Sequence, residues 1–255
     1  MSYFLSGSDY VGVSFWLVYA AMIAATVFFF YEGFHVKKEW RLSLLVAGLV
    51  TLVAAIHYDY MRDYWVYTLS QGEGQSPIVY RYIDWLITVP LLMIEFYIIL
   101  KAVGASVSAN SFWRLLIGTL VMLIGGYLGE TGLYGVGATF GFIIGMIGWA
   151  VIIWEIFRGE ASQAADGKEG IKSAFNALRI IVLVGWAIYP LGYVFGVMMG
   201  VGNDASLNLI YNLADFVNKI LFGLISGELL QKKPNKILLK ILKNPLFRGF
   251  FLLLY

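Results

Sequence analysis

The chain has 255 residues, of which 60% are hydrophobic and 13% are charged, and its formal net charge is +2. Soluble globular domains are about 45–50% apolar and about 25% charged, so this composition excludes an ordinary water-soluble domain and indicates a protein that lies in lipid. The sequence contains no cysteine, which excludes a disulfide framework and a thiolate metal site.

Seven apolar segments are predicted to be membrane-spanning helices, because each is about as long as the roughly 20 helical residues that cross a hydrocarbon core. Three stretches, 10–31, 131–154 and 180–203, contain no Asp, Glu, Lys or Arg. The second, third and seventh segments are less uniformly apolar. In chain order the predicted helices cover residues 10–32, 40–61, 77–101, 111–129, 133–157, 171–200 and 205–231.

Basic residues are concentrated on one side of the predicted bundle. Fifteen of the 18 lysines and arginines lie in the connections and the tail of that side, whereas the opposite side has Arg62 alone. By the positive-inside rule, the N-terminus lies outside and the C-terminus lies in the cytoplasm. We predict a transmembrane domain over residues 1–231 and a basic, apolar cytoplasmic tail over 232–255, which is an interfacial helix, an added cloning sequence or disordered chain.

Five ionisable residues fall inside the predicted spans: Arg81, Asp84 and Glu95 in the third, and Asp215 and Lys219 in the seventh. A central Asp, Lys or Arg costs about 2.5–3.5 kcal/mol on insertion scales, so such residues predict a functional polar core that faces the bundle interior. The alternative is that Arg81 and Asp84 anchor the helix at the membrane edge, and that Glu95 is a solvated side chain near the cytoplasmic rim.

Asp84, Thr88 and Glu95 are spaced at i, i+4 and i+11, which places them on one face of the third predicted helix. The two carboxyl groups are about 16 Å apart along the axis, with Asp84 on the extracellular side. Glu95 has no counter-charge in the predicted core, so its neutral form is favoured and we expect it to rest protonated. Such a pair is typical of a proton acceptor and a proton donor on either side of a central group.

Lys219 follows Asp215 by one helical turn on the same face of the seventh predicted helix. A lysine at this depth is an ion-pair partner, part of an ion path or a nucleophile that forms an imine, and its position alone does not decide among the three. Each aromatic ring nearby, taken singly, is more typical of packing or of an interface belt. Together, rings at interior-compatible positions are able to wall a flat, elongated, apolar ligand: Trp85, Trp186, Tyr189 and Tyr211.

Six segments carry the motifs of one known family. Three belong to the third, sixth and seventh predicted helices: RYIDWLITVPLLMIEFYIIL at 81–100, WAIYPLGY at 186–193 and NLIYNLADFVNKILFGLI at 208–225. Three more extend through the first two helices: SFWLV at 14–18, TVFFF at 26–30 and HYDYMR at 57–62. Over residues 8–228 the chain resembles the proteorhodopsins. The resemblance implies an all-α, seven-transmembrane-helix bundle of the microbial rhodopsin type in the plasma membrane of a bacterium.

The resemblance also implies a function, a light-driven outward proton pump with all-trans retinal bound covalently to Lys219 as a protonated Schiff base. It implies that Asp84 is the primary proton acceptor and counterion, that Asp215 is the second counterion, and that Glu95 is the proton donor. Three further residues are implied to support these groups: Arg81 organises the counterions, Thr88 completes the Asp–Thr–Glu signature, and His57 hydrogen-bonds Asp84. Without the family, a lone histidine on an apolar helix is more often a packing residue.

The positions that match the retinal pocket of the family are Trp85, Leu92, Trp149, Trp186, Tyr189, Pro190, Tyr211 and Asn218. Leucine at position 92 implies green rather than blue absorption. Phe142 stands where antenna-carotenoid binders have glycine, so no antenna carotenoid is expected. A homo-oligomeric ring of five or six subunits is implied, although Gly33 and Phe34 replace charged residues that join subunits in some relatives.

Three other functions remain open at this point. A photosensor on the same fold needs no cytoplasmic donor, which Glu95 disfavours. A light-driven sodium or chloride pump is expected to lack the acceptor aspartate, which Asp84 disfavours. A retinal-free transporter that uses the buried charges as an ion path would stay colourless when retinal is added. In each case we expect an ion transporter or a sensor in the bilayer, with no metal and no nucleic acid, and not an enzyme.

Overall fold

The computed structural model describes residues 5–228, and within this range the chain forms seven apolar helical spans that are long enough to cross a membrane. The predicted all-α, seven-span architecture is confirmed for this range. In chain order the helices are α1 Tyr10–Gly33, α2 Arg41–Ser70, α3 Ile78–Ala102, α4 Ala109–Thr131, α5 Ala138–Phe157, α6 Glu160–Asp166, α7 Glu169–Ile180, α8 Ile188–Gly192 and α9 Asp204–Glu228. The sixth span combines α7 and α8 with two π-helical turns.

The second helix is longer than the sequence predicted, because α2 ends at Ser70 and not at residue 61. The charged residues after residue 61 were interpreted as a connection. They stay helical, and Arg62 pairs with Asp59 at 2.9 Å across one turn of the helix. Thr68 then closes the helix by accepting the backbone N–H of Gln75 at 2.9 Å. Charge on the water-facing end of a long helix therefore marks the membrane boundary and not the helix terminus.

The fifth span begins later than predicted, at Ala138 rather than at residue 133. Gly132 and Gly135 adopt positive φ angles of 65° and 74°, and Tyr134 between them has φ 55°. This left-handed backbone is incompatible with a continuous α-helix and is favoured by glycine. The five residues that hydropathy assigned to the span form the turn between α4 and α5.

The sixth span is interrupted around Pro190, which has no N–H to donate. Trp186 donates its N–H to Ile181, five residues earlier, at 3.1 Å. Tyr189 in turn donates to Trp186 at 3.1 Å, three residues earlier. On the N-terminal side of the proline, hydrogen bonds to the fifth and third preceding residues thus replace the regular i to i−4 bonds of an α-helix.

Glycines join α4 and α5. The small-xxx-small spacing of Gly141 and Gly145 is typical of a close helix approach, and the structure places Gly141 against the backbone of Gly129. A Cβ atom added at Gly148 would overlap the backbone of Met122 in the same seam. These two helices therefore form a closely packed wall.

The predictions for the tail at 232–255, and for the end of the transmembrane domain at residue 231, fall outside the described residues. The orientation of the two termini remains a prediction from the distribution of basic residues.

Candidate functional site

The amine of Lys219 lies at the centre of the site, between two carboxylates from different helices. Its Nζ is 2.7 Å from Asp84 Oδ2 on α3 and 2.8 Å from Asp215 Oδ2 on α9. The side chain of Lys219 is 3% exposed, and those of the aspartates are 0% and 1% exposed. Charges buried this deeply persist only when they are paired, so the three groups act as one electrostatic unit.

The two carboxylates differ in how many donors hold them. Asp215 accepts hydrogen bonds from Tyr58 Oη at 2.9 Å, Tyr189 Oη at 2.6 Å and Trp85 Nε1 at 3.2 Å, in addition to the lysine. Asp84 Oδ1 has no hydrogen-bond partner among residues 5–228. Negative charge at Asp215 is therefore stabilised by several donors, whereas Asp84 keeps a free oxygen beside the amine.

Arg81 contacts neither carboxylate directly within the described part of the chain. Its Nη2 donates to Asn208 Oδ1 and to Asn212 Oδ1, both at 3.0 Å, and its Nη1 lies 3.5 Å from Tyr58 Oη. The guanidinium is 2% exposed. Hydrogen bonds therefore link Arg81 to Asp215 through Tyr58, and its role in organising the counterions stays a prediction.

Thr88 and His57 lie on the expected helices, but neither bonds the Asp84 carboxylate among residues 5–228. Thr88 Oγ1 donates to the backbone carbonyl of Asp84 at 2.9 Å. His57 Nδ1 lies 2.8 Å from the carbonyl oxygen of Val53, one turn earlier on α2. The described residues therefore show no hydrogen bond between His57 and Asp84, and with Nδ1 facing Val53 such a bond would have to involve Nε2.

Glu95 lies in the other half of the bundle, buried to 2% exposure. The hydroxyl of Ser43, in the first turn of α2, donates to Glu95 Oε1. Glu95 Oε2 has no partner, and no basic group forms an ion pair with Glu95, within residues 5–228. An interior position without a counter-charge matches the sequence prediction for this residue.

A cavity extends away from Lys219 between α3, α4, α5, the sixth span and α9. All nine residues that the sequence assigned to cofactor binding line it. Residues that the sequence analysis did not assign to the pocket complete the wall, most of them apolar: Tyr82, Val89, Met122, Leu123, Gly126, Glu130, Phe142, Gly145, Met146 and Tyr193. A mostly apolar cavity with one amine at its side suits an elongated apolar aldehyde that condenses with that amine.

Two of the cavity residues also complete the interrupted sixth span. Because Trp186 donates to Ile181, the carbonyl of Val182 lacks its helical partner, and the indole Nε1 of Trp149 donates to it at 3.3 Å. The Gly185 carbonyl likewise accepts from Asn218 Nδ2 at 3.1 Å. Side chains of α5 and α9 thus satisfy the backbone groups that the π turn exposes.

Four polar residues of the site were missed by sequence reasoning: Ser43, Tyr58, Asn208 and Asn212. The asparagines carried a detectable signal. With Asp215 and Lys219 they repeat at intervals of four, three and four residues, which places all four on one face of α9. Ser43 and Tyr58 carried a weaker signal, since a single neutral polar side chain in an apolar span is common.

The comparisons with known proteins agree on one family. The family model for bacteriorhodopsin-like proteins matches residues 9–233. A green-light absorbing proteorhodopsin from Gamma-proteobacterium EBAC31A08 is 53% identical over 233 residues, which cover 91% of this chain and 90% of that protein. A blue-light absorbing proteorhodopsin from Gamma-proteobacterium Hot 75m4 is 56% identical over 231 residues, which cover 89% of each.

Solved structures show the same fold. The crystal structure of blue light-absorbing proteorhodopsin from Med12 is 50% identical with a TM-score of 0.72, covering 87% of this chain and 98% of that one. The structure of Exiguobacterium sibiricum rhodopsin is 36% identical with a TM-score of 0.77, covering 86% of this chain and 94% of that one. The resemblance inferred from the sequence motifs is confirmed.

Proposed function

Because this chain belongs to the family of bacteriorhodopsin-like proteins, we propose that it is a light-driven outward proton pump that carries retinal on Lys219. The seven spans within residues 5–228 and the bacterial relatives make it a multi-pass protein of a bacterial plasma membrane, embedded in the lipid bilayer. Its relatives are rhodopsins, which supports a light-driven transporter over an enzyme. The observation that carries the proposal is the buried Lys219 amine, held between two carboxylates beside a mostly apolar cavity.

The residues at the site fit retinal by their chemistry. The cavity is walled by aromatic rings and aliphatic side chains, which suit a flat polyene. Nζ of Lys219 contacts two carboxylate oxygens in the free amine form. A protonated imine at this nitrogen would keep the positive charge but would have only one N–H, so Asp84 and Asp215 would share a single donor.

When it is bound as a protonated imine, retinal supplies visible-light absorption and a light-driven change of shape that moves the imine proton. Asp84 receives that proton, because one of its oxygens is free and the other contacts the Lys219 nitrogen. Asp215 stays ionised, because two tyrosine hydroxyls and an indole N–H donate to it. Because Asp215 has more hydrogen-bond donors than Asp84, the proton moves to Asp84 and not to Asp215.

Glu95 returns a proton to the Lys219 nitrogen from the cytoplasmic half. Its carboxyl group is buried with one free oxygen and one bond from Ser43, and these surroundings favour the protonated form at rest. After donating, Glu95 recovers a proton from the cytoplasm. Net transport is outward, since Asp84 lies towards the extracellular side in the orientation that the basic residues predict.

The absorption colour, the lack of an antenna carotenoid and the number of subunits are proposed from single residues or from the family resemblance. Relatives of both colours match at 53% and 56% identity, so the proposal of green absorption rests on Leu92, which lines the cavity. Phe142 also lines the cavity, with its ring centroid 5.4 Å from that of Tyr193, which supports a pump that works without an antenna carotenoid. A ring of five or six subunits is proposed from the family resemblance.

The rival functions are disfavoured by particular residues. The buried carboxyl of Glu95 supports a pump over a photosensor, which has no need of a cytoplasmic donor. The ion pair between Lys219 and Asp84 supports a proton acceptor at position 84. Sodium and chloride pumps are expected to lack an aspartate at this position. The ring-lined cavity beside Lys219 supports a chromophore over a retinal-free ion path.

Recording the external pH of illuminated cells that express the chain with retinal tests the proposal. We expect acidification that an uncoupler abolishes. Alkalinisation that an uncoupler enhances would show that another ion is pumped, and a coloured protein without a pH change would favour the photosensor. A protein that stays colourless with retinal would favour the ion path.

A further inference from the structure

Ser226 lies near the cytoplasmic end of α9 and is not used in the proposed transport. Its side chain is 0% exposed, and its hydroxyl has no hydrogen-bond partner among residues 5–228. A buried serine usually bonds the carbonyl of its own preceding turn, so a free hydroxyl here points to another acceptor. The buried Glu95 Oε2 lacks a partner in the same way.

The two free groups lie at the same depth. Asp84 on α3 and Asp215 on α9 contact the same lysine nitrogen, which sets both aspartates at one level. The third and seventh spans run in the same direction. Glu95 follows Asp84 by 11 residues, and Ser226 follows Asp215 by 11 residues. Each is therefore about 16 Å further towards the cytoplasm.

The same spacing also fixes the direction in which the side chains point. Eleven residues are close to three complete helical turns, so Glu95 and Ser226 each lie on the face of their aspartate, towards the bundle interior. The burial of both residues agrees with this placement.

Packing brings this part of α9 against α3. The ring of Phe96, the residue after Glu95, is 5.7 Å from the ring of Phe222 in an edge-on contact. Phe222 precedes Ser226 by one helical turn. The two helices therefore touch at the level just before the free hydroxyl.

Packing also brings the segment against α2, which carries the known partner of Glu95. A Cβ atom added at Gly227 would lie 3.2 Å from Leu44 Cδ2. Leu44 follows Ser43, whose hydroxyl donates to Glu95 Oε1. Ser226 thus lies in the corner where α2, α3 and α9 meet around this carboxyl group.

We propose that Ser226 is a positioning residue of the proton donor, whose hydroxyl holds Glu95 Oε2 through a bound water molecule. Ser43 and Ser226 then flank the carboxyl group from α2 and α9. A buried water makes about three hydrogen bonds to groups that would otherwise be unsatisfied, and a carboxyl oxygen and a hydroxyl are such groups. The water links Glu95 towards the cytoplasm, from which the donor recovers its proton. The inference rests on the proposed function in assigning Glu95 as the donor.

The test compares Ser226→Ala, which removes the hydroxyl, with Ser226→Thr, which keeps it. Ser206→Ala is the matched control on α9, because Ser206 is an exposed serine near the other end of that helix. The first readout is the infrared carbonyl band of Glu95 in the dark, identified as the band that Glu95→Gln removes. We expect Ser226→Ala to move this band to higher frequency, and Ser226→Thr and the control to leave it in place.

The second readout is the rate at which the illuminated protein takes up a proton, followed with a pH-indicating dye. Loss of one hydrogen bond predicts a slowing of about twofold to tenfold in Ser226→Ala, restored in Ser226→Thr. In the Glu95→Gln background, Ser226→Ala is expected to cause no further slowing, because it acts through Glu95.

An unmoved carbonyl band in Ser226→Ala would overturn the inference, as would equal slowing by alanine and threonine. Additional slowing in the Glu95→Gln background would also overturn it, by showing that Ser226 acts elsewhere. The infrared carbonyl band of Glu95 in the dark can be measured whether or not the protein pumps protons. An unmodified protein that moves no protons would thus overturn the proposed function, while the band shift would still decide the contact between Ser226 and Glu95.

Discussion

Tyr58 on α2 donates its hydroxyl to Asp215 on α9 at 2.9 Å. The same hydroxyl lies 3.5 Å from Nη1 of Arg81, whose other hydrogen bonds among the described residues go to two asparagine oxygens. A neutral phenol therefore stands between the buried arginine and the carboxylate. Arg81, which the family resemblance assigns to organising the counterions, hydrogen-bonds neither aspartate among the described residues and is linked to Asp215 by the hydroxyl of Tyr58.

Replacing this tyrosine tests that coupling. Tyr58→Phe keeps the ring but removes one donor from Asp215 and the contact of Arg81, so we expect a loss of about 0.5–2 kcal/mol in stability. The measurement is the temperature at which half of the visible absorption is lost. Tyr60→Phe, at an exposed position of the same helix, is the control and should leave this temperature unchanged. Equal thermal loss in both variants would show that the hydroxyl of Tyr58 does not matter.

Lys219→Ala is expected to abolish pigment formation completely, because the variant lacks the amine that is proposed to form the imine. The measurement is the visible absorption of purified protein after retinal is added. Lys172→Ala removes an exposed lysine that pairs with Asp166 at 3.1 Å, and it should colour normally. A Lys219→Ala protein that colours as strongly as the unmodified one would refute covalent attachment at this residue.

Glu95→Gln is expected to keep the colour, because Gln still accepts the bond from Ser43 and no counter-charge is lost. Return of the proton to the Lys219 nitrogen should slow at least about tenfold, since a positioned acid contributes roughly 10²–10⁴ to such a transfer. Flash absorption spectroscopy measures this rate. Glu73→Gln, in the connection between α2 and α3, controls for the loss of a carboxylate elsewhere. An unchanged rate in Glu95→Gln would remove Glu95 from the donor role.

The two aspartates that pair with Lys219 should respond differently to neutralisation. Asp84→Asn removes the acceptor but leaves Asp215 to pair the cation, so we expect a coloured protein that no longer acidifies the medium. Asp215→Asn withdraws the ionised acceptor from two tyrosines and an indole, and should lower pigment stability by about 1–3 kcal/mol. Thermal bleaching and light-driven pH changes of both variants are the measurements. Equal stability of the two would contradict the unequal roles assigned to them.

Most of the fold could be predicted because membrane insertion depends on residue type and length, which hydropathy reads directly. The ends of the helices depend on contacts that hydropathy does not read. Arg62 looked like the start of a connection, but its pair with Asp59 lies on a helix that continues to Ser70. The π turn beside Pro190 depends on which side chains from neighbouring helices fill the vacated backbone bonds.

The charged part of the site was predictable for a different reason. A buried Asp, Glu or Lys is costly in lipid, so it stands out in the sequence. Neutral partners cost less and remain inconspicuous, which is why Tyr58 and Ser43 were missed. The direct contact expected between His57 and Asp84 depends on ring orientation, and the sequence gives no access to that.

The walls of the cavity differ in stiffness. On one side, α4 and α5 interlock at glycines, where any displacement meets backbone. On the other side, the sixth span is held near Pro190 by the side chains of Trp149 and Asn218 in place of two regular backbone bonds. Such bonds break by rotation of a side chain and do not require the helix to unwind. A ligand that pushes outward from within the cavity is therefore expected to bend the sixth span near Pro190 before it separates α4 from α5.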